Sequence, residues 1–180
     1  ITNDSSIYIG VARNIIEGHG ILMPIINIPL THYPPLYPAI LSVSSLFGTS
    51  IVAWSRILNI IFFALAIILF VMISDRLNSK RFVLPTFLVV TSPVLLESFT
   101  NTWSEPLFIL TSFASLLLID LFLEKGDIWF LVIAAVIASA SWMDRYIGIS
   151  VIMAVTFELL LHRRDWSNII IFCSISMLPM

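Results

Sequence analysis

The chain has 180 residues, of which 59% are hydrophobic and only 11% charged, with a formal net charge of −2. A mean hydropathy of +1.03 lies far above what a soluble domain tolerates and predicts an integral membrane protein. Near-neutral charge without a basic block removes nucleic acid from the partners, and a single cysteine, Cys173, excludes an internal disulfide and reads as a small core or lipid-facing residue.

Asn3, Asp4, Ser5 and Ser6 suit a helix N-cap, because their side-chain oxygens can accept from free backbone N–H groups. The helix they open is amphipathic. Ile7, Tyr8, Val11, Ala12, Ile15 and Ile16 share one side, Arg13, Asn14 and Glu17 lie elsewhere, and Gly18 and Gly20 supply the stop. It is too short to span a bilayer. In Thr31-His32-Tyr33-Pro34-Pro35-Leu36-Tyr37-Pro38 the prolines fix φ and hold their preceding residues extended, which stiffens the loop. Asn3 to Tyr37 is the only long segment that is neither continuously apolar nor short, and is the expected seat of the chemistry.

Leu36 to Phe47 places Leu36, Ile40, Val43 and Phe47 on one helical face; at 12 residues it reads as an interfacial helix. Residues 1–50 are thus an outer loop carrying two short interfacial helices, and 51–180 a transmembrane bundle of about six apolar segments, the last truncated. Ile51 to Ser74 is the most secure span, interrupted only by Arg56 and Asn59, three apart on one face near its start. After a polar turn from Asp75 to Arg81 come Phe82 to Leu96, Leu107 to Leu123, Ile128 to Ser141 and Ile147 to Leu161, several of them shorter than the ~17 residues a straight span needs. The fold class expected is all-α, a polytopic membrane bundle with amphipathic juxtamembrane helices. If Leu36 to Phe47 lies on the surface, Arg76, Lys80, Arg81, Lys125, Arg163 and Arg164 share one side, which the positive-inside rule makes cytoplasmic. Asp4, Glu97, Glu105, Asp144 and Arg145 then gather on the outer side. The chain starts at Ile1 and ends within an apolar run at Met180, so both ends look cut.

Five features in this order carry a family resemblance: Asp4 opening a helix with Tyr8 and Ala12-Arg13 before Gly18-x-Gly20 and Tyr33-Pro34-Pro35-Leu36-Tyr37-Pro38; Arg56-x-x-Asn59 inside a span; Thr91-Ser92-Pro93; Ser104-Glu105-Pro106-Leu107-Phe108; and Asp144-Arg145-Tyr146-x-Gly148. They resemble the GT-C membrane glycosyltransferases, in particular the bacterial transferases related to dolichyl-phosphate-mannose protein mannosyltransferases and to the lipid A aminoarabinose transferase. The resemblance covers most of the chain. It implies a missing transmembrane helix before Asn3 and several more after Met180, and a fragment that is inactive alone.

The implied reaction moves a sugar from a polyprenyl-phosphate donor to a glycan, lipid or protein hydroxyl at the outer face, with inversion. Asp4 stands where the family places the general base, although an N-cap is its alternative reading; Ser5 stands where the family often has a second acid, which puts a paired-carboxylate or metal role in doubt. Glu105, opening a helix at Pro106, either satisfies the helix dipole or supports the catalytic cavity. Arg145 and Arg56 are the phosphate candidates, since a guanidinium can neutralise the leaving phosphate with two parallel hydrogen bonds. Their alternatives are an ion pair of Arg145 with Asp144 or another outer acid, and a bond from Arg56 to a neighbouring carbonyl. His32, Tyr33 and Tyr37 are substrate-contact candidates, whereas His19 and His162 read as solvated. Three scattered histidines propose no zinc site, no cofactor is implied beyond the lipid-linked substrate, and a divalent-metal requirement stays open. Soluble-enzyme signatures such as a Gly-rich phosphate loop or a Gly-x-Ser-x-Gly elbow are missing. A transporter or channel, or a non-catalytic membrane scaffold, remains the alternative to an enzyme.

Overall fold

A computed structural model describes residues 2–24, 26, 28–76, 83–162 and 166–178. Among these residues the regular structure is all helical, with no strand beyond an isolated bridge between Leu22 and Pro29. Lys80, Arg81, Arg163 and Arg164, four of the bases expected on the cytoplasmic side, lie outside the described residues.

Helix α1 runs from Asn3 to Ile16 and buries Tyr8, Val11 and Ala12, the stripe its periodicity predicts. Its cap differs from expectation. Thr2 is the N-cap and accepts from the Ser5 N–H, which leaves Asp4 in the first turn with its side chain free for other work. Past the helix, Gly18 and Gly20 adopt φ of 79° and 88°, conformations that a side chain would strain.

Helix α2 (Leu36–Ser42) continues into a 3₁₀ turn (Val43–Phe47), so the expected interfacial helix exists but tightens halfway. The long α3 (Ile51–Arg76) outruns its expected end by two residues. The stretch Phe82 to Leu96, expected as one apolar element, is instead broken. Pro93 lacks an N–H and holds Ser92 extended at ψ 118°, which separates α4 (Val83–Val90) from α5 (Pro93–Thr100). Then follow α6 (Glu105–Lys125), α7 (Ile128–Asp144), a 3₁₀ turn (Tyr146–Gly148), α8 (Ile149–His162) and α9 (Trp166–Ser176).

Helices α3 and α6 are long and apolar enough to cross a membrane, and only 28% and 33% of their most apolar windows are buried inside the protein. On α3 the residues Ile57, Ile60, Ile61, Leu65, Ile68 and Met72 are all exposed, an apolar face that water would not tolerate over such a length. The two helices run in the same direction, because Arg76 at the end of α3 ion-pairs with Asp120 and Glu124 near the end of α6. Cys173 on α9 is partly buried, its thiol 3.5 Å from the Thr156 hydroxyl.

Two apolar clusters organise the rest. One, built on Leu131, Ala134, Ala135, Ala138, Ile152, Val155 and Phe172, binds α6, α7, α8 and α9 together. Its run of alanines lets the backbones approach closely, as membrane helices favour. The other seats α1 and α2 on the start of α3 and α6 through Tyr8, Ala12, Tyr37, Leu41, Leu58, Phe62 and Leu107. Polar latches complete this seat. Trp54 Nε1 donates to the Ile40 carbonyl at 3.1 Å, Trp103 Nε1 to Thr2 Oγ1 at 2.6 Å, and Asn59, buried in α3, to the Phe99 and Asn101 carbonyls at 3.1 and 2.7 Å.

The turn after α7 leaves no room for a side chain at Gly148, where a Cβ would land on the Ser141 carbonyl and the Trp142 nitrogen. Gly148→Ala should therefore destabilise the protein by about 1–3 kcal/mol, the usual range for overpacking, because backbone rather than a flexible side chain must yield. A thermal melt in detergent checks this; an unchanged midpoint would show that the corner relaxes freely.

Candidate active site

The chemistry-bearing residues of the first loop and of the α5–α6 and α7–α8 corners meet at one end of the helices. The opposite end holds Arg76 with Asp120 and Glu124, and His162 with Glu158 at 3.1 Å, so those acids are spent in pairing. A cleft of about 260 Å³ is lined by Asp4 and Tyr8 from α1, His32 and Tyr33 from the proline loop, and Asp144 and Arg145 from the end of α7.

Asp4 is exposed, and its Oδ1 accepts a hydrogen bond from the Tyr33 phenol at 2.9 Å. That bond raises the Tyr33 pKa, since losing the phenolic proton would set two negative charges face to face. Asp4 is at the same time one of the residues that line the cleft. Prolines 34 and 35 hold Tyr33 in place, and Tyr146 pins the same loop by donating to the Thr31 carbonyl at 2.7 Å.

Arg145 ion-pairs with Glu105 in the first turn of α6, and its Nη1 donates to Ser104 Oγ at 3.4 Å. Both members are about one-third exposed, 35% for Arg145 and 32% for Glu105, so the pair is open to the cleft rather than sealed. The rival reading of Arg145 as the partner of an outer acid thus describes its resting contact, with Glu105 and not the adjacent Asp144 as that acid. Two groups on one guanidinium edge leave the rest of its five-donor fork unspent.

Behind this pair the hydroxyls of Tyr8 and Ser104 hydrogen-bond each other at 3.0 Å. Tyr8 also meets the rings of Tyr33 and Tyr37 edge-on, at 5.5 and 5.1 Å between centroids. Burial pushes the Tyr8 phenol up to about 12 and raises Tyr37 further, so neither is available as an acid or base near neutrality.

Of the residues singled out from sequence, Asp4, His32, Tyr33 and Arg145 line the cleft and Glu105 touches it through Arg145. Tyr37 does not line it. Its ring is fully buried against Tyr8, and its hydroxyl has no hydrogen-bond partner among the described residues. Arg56 does not line it either. Although only three residues from Asn59, it projects to the exposed side of α3 while Asn59 turns inward, which leaves Arg145 as the candidate phosphate group that lines the cleft. Glu97, on α5, is exposed.

Sequence reasoning did not single out Tyr8, which its periodicity marks as a packing residue, or Ser104, which stands just ahead of α6; the bond between their hydroxyls shows only in three dimensions. It placed Asp144 in the outer group and as a possible partner for Arg145, without a site role of its own. Among the described residues no group of three His, Cys, Asp or Glu gathers closely enough to hold a metal ion.

A second cavity of about 230 Å³ adjoins the first. Pro34 and Tyr146 belong to both, and its other walls are Pro35, Ser139, Trp142, Met143 and Ser176, almost wholly apolar. Comparison with protein-family models, curated proteins and solved structures finds no match to this chain.

Proposed function

We propose that this chain is the catalytic part of a polytopic membrane glycosyltransferase that moves a sugar from a polyprenyl-phosphate donor to an acceptor hydroxyl at the outer face of the membrane. The observation that carries the reading is the junction at Pro34 and Tyr146, where a cleft holding a carboxylate and a guanidinium meets an apolar pocket. A lipid-linked sugar phosphate has the same two-part character: a polar head of sugar and phosphate, and a hydrocarbon chain that must stay out of water.

Asp4 takes the proton of the acceptor hydroxyl as its oxygen attacks the anomeric carbon. The bond from that carbon to the phosphate oxygen breaks with inversion, and the polyprenyl phosphate leaves with the electron pair. Arg145 neutralises the charge that accumulates on the departing phosphate, using the part of its fork not engaged by Glu105 and Ser104. Glu105 holds the guanidinium in register, and Tyr33 orients the Asp4 carboxylate through its hydrogen bond to Oδ1. No acid is needed for the leaving group, because a phosphate diester oxygen departs as a weak base.

The test is transfer of labelled sugar from a panel of polyprenyl-phosphate sugars to endogenous acceptors in membranes containing the protein. We expect labelled product with at least one donor, dependent on this chain. Failure with every lipid-linked donor would favour a transporter or a non-catalytic scaffold, neither of which forms a glycosidic bond.

A further inference from the structure

Asp144 ends α7 beyond the apolar run 128–141, and its side chain is fully buried. Neither carboxyl oxygen has a hydrogen-bond partner among the described residues. Buried side-chain oxygens are nearly always satisfied, so a carboxyl with both oxygens unmet calls for an explanation. The adjacent guanidinium does not supply one, since it turns to Glu105. Ser141, one turn earlier on α7, and Tyr37 on α2 are unpartnered as well. Among these unsatisfied groups only Asp144 belongs to a residue lining the polar cleft.

We infer that the Asp144 carboxyl is a ligand-contacting group that hydrogen-bonds a ring hydroxyl of the donor sugar. This rests on the lipid-linked donor reading above and deepens it. Asp144 and Arg145 line the same cleft, so a phosphate held by Arg145 would bring the ring attached to it into the space that Asp144 also borders. The carboxyl suits a hydroxyl in its uncharged form, which offers one O–H donor and one carbonyl acceptor to a partner that can accept and donate. Burial holds it in that form, pushing its pKa well above the usual carboxylate range; Glu105 acts in the same direction and Arg145 opposes it. Tyr8 from α1 and Tyr37 from α2 also feel its charge, and Asp4 from α1 with His32 and Tyr33 from the proline loop are the other titratable groups that line the same cleft.

Because the folded-state pKa is raised, the donor proton is present at low pH and is lost as pH rises through that value, and sugar binding weakens with it. Asn in place of Asp144 keeps a donor and an acceptor but cannot ionise. Leu keeps the bulk and offers neither. Asp4 and His32 are present in all three proteins, so any difference between their pH profiles belongs to position 144.

The experiment measures binding to the protein in lipid nanodiscs of farnesyl phosphate carrying a hexose or pentose from a panel, beside farnesyl phosphate without sugar, across a range of pH. In the wild type the sugar should strengthen binding, and that gain should fade as pH rises. Asp144→Leu should weaken binding of the sugar-bearing probe about tenfold, the worth of one well-made hydrogen bond, without changing binding of farnesyl phosphate. Asp144→Asn should retain the sugar's contribution and flatten its pH profile. A deoxy sugar lacking the contacted hydroxyl should lose as much in the wild type and nothing further in the Leu variant. Sugar-dependent binding that survives Asp144→Leu unchanged would overturn the assignment and leave the donor reading standing. A wild type that binds no sugar-bearing probe would overturn the donor reading itself, and this inference with it.

Discussion

Asp4→Asn should lower sugar transfer by roughly 10²–10⁴-fold, the range for losing a general base, with expression and donor-lipid binding retained. The substitution is well controlled in this structure. Thr2, not Asp4, caps α1, so helix initiation is not at stake. An amide oxygen at position 4 can still accept from the Tyr33 phenol, so the loop should keep its place. What disappears is the basic carboxylate. The measurement is turnover of labelled sugar at saturating donor, beside donor binding by the same preparation. Near-normal turnover in the Asn variant would remove Asp4 from the chemistry and leave it as a favourable charge in the first turn of a helix.

The second large effect is expected at Arg145. Arg145→Ala should cost roughly 10²–10³-fold in turnover, as for removal of an electrostatic group aimed at developing charge. Arg145→Lys should fall between that and wild type, since the charge stays but the planar fork is lost. The ion pair with Glu105 offers a competing explanation: removing Arg145 strands a partly buried carboxylate. A double-mutant cycle separates the two. If Arg145 existed only to balance Glu105, adding Glu105→Gln to Arg145→Ala would restore turnover. If Arg145 handles the phosphate, Gln at position 105 relieves local repulsion and turnover stays low. Restoration by Glu105→Gln would sink the phosphate role.

Much of this arrangement was legible before any coordinates. The stripe of Tyr8, Val11 and Ala12 identified the buried face of α1, and Gly18 and Gly20 marked its end, because helix periodicity and left-handed conformations are local properties. Apolar length alone identified α3 and α6. The break between α4 and α5 was equally local: Thr91-Ser92-Pro93 stood in the sequence, but the apolar run across it hid a proline that removes a donor and extends the residue before it.

The site itself divided along another line. The grouping of Asp4, Glu105 and Arg145 was expected from charge placement and from resemblance, and an ion pair of Arg145 with Asp144 or another outer acid was its alternative reading; that the acid is Glu105 was not legible. Asn59 and Arg56 show why. At three residues apart on α3 they share a side of the helix by spacing, yet the neighbouring α5–α6 corner accepts only Asn59, whose amide finds two carbonyls there, and leaves Arg56 outside. Tyr37, expected as a substrate contact, is buried away from the cleft for a related reason, since the ring of Tyr8 packs edge-on against it.

By itself, then, the sequence determined what depends on neighbours along the chain: where helices start and stop, which of them are long and apolar enough for a membrane, and which stretch is polar and stiff. Only the tertiary structure decided which acid Arg145 pairs with, that the Tyr33 phenol holds Asp4, and that Asp144 is shut away with both oxygens unmet. The physical reason is range. Helix propensity, capping and proline geometry act over a few residues, whereas an ion pair between positions 105 and 145, or a hydrogen bond between 4 and 33, depends on how whole helices stack. That stacking rests on small side chains such as Ala134, Ala135, Ala138 and Gly148, whose importance lies in what they leave room for.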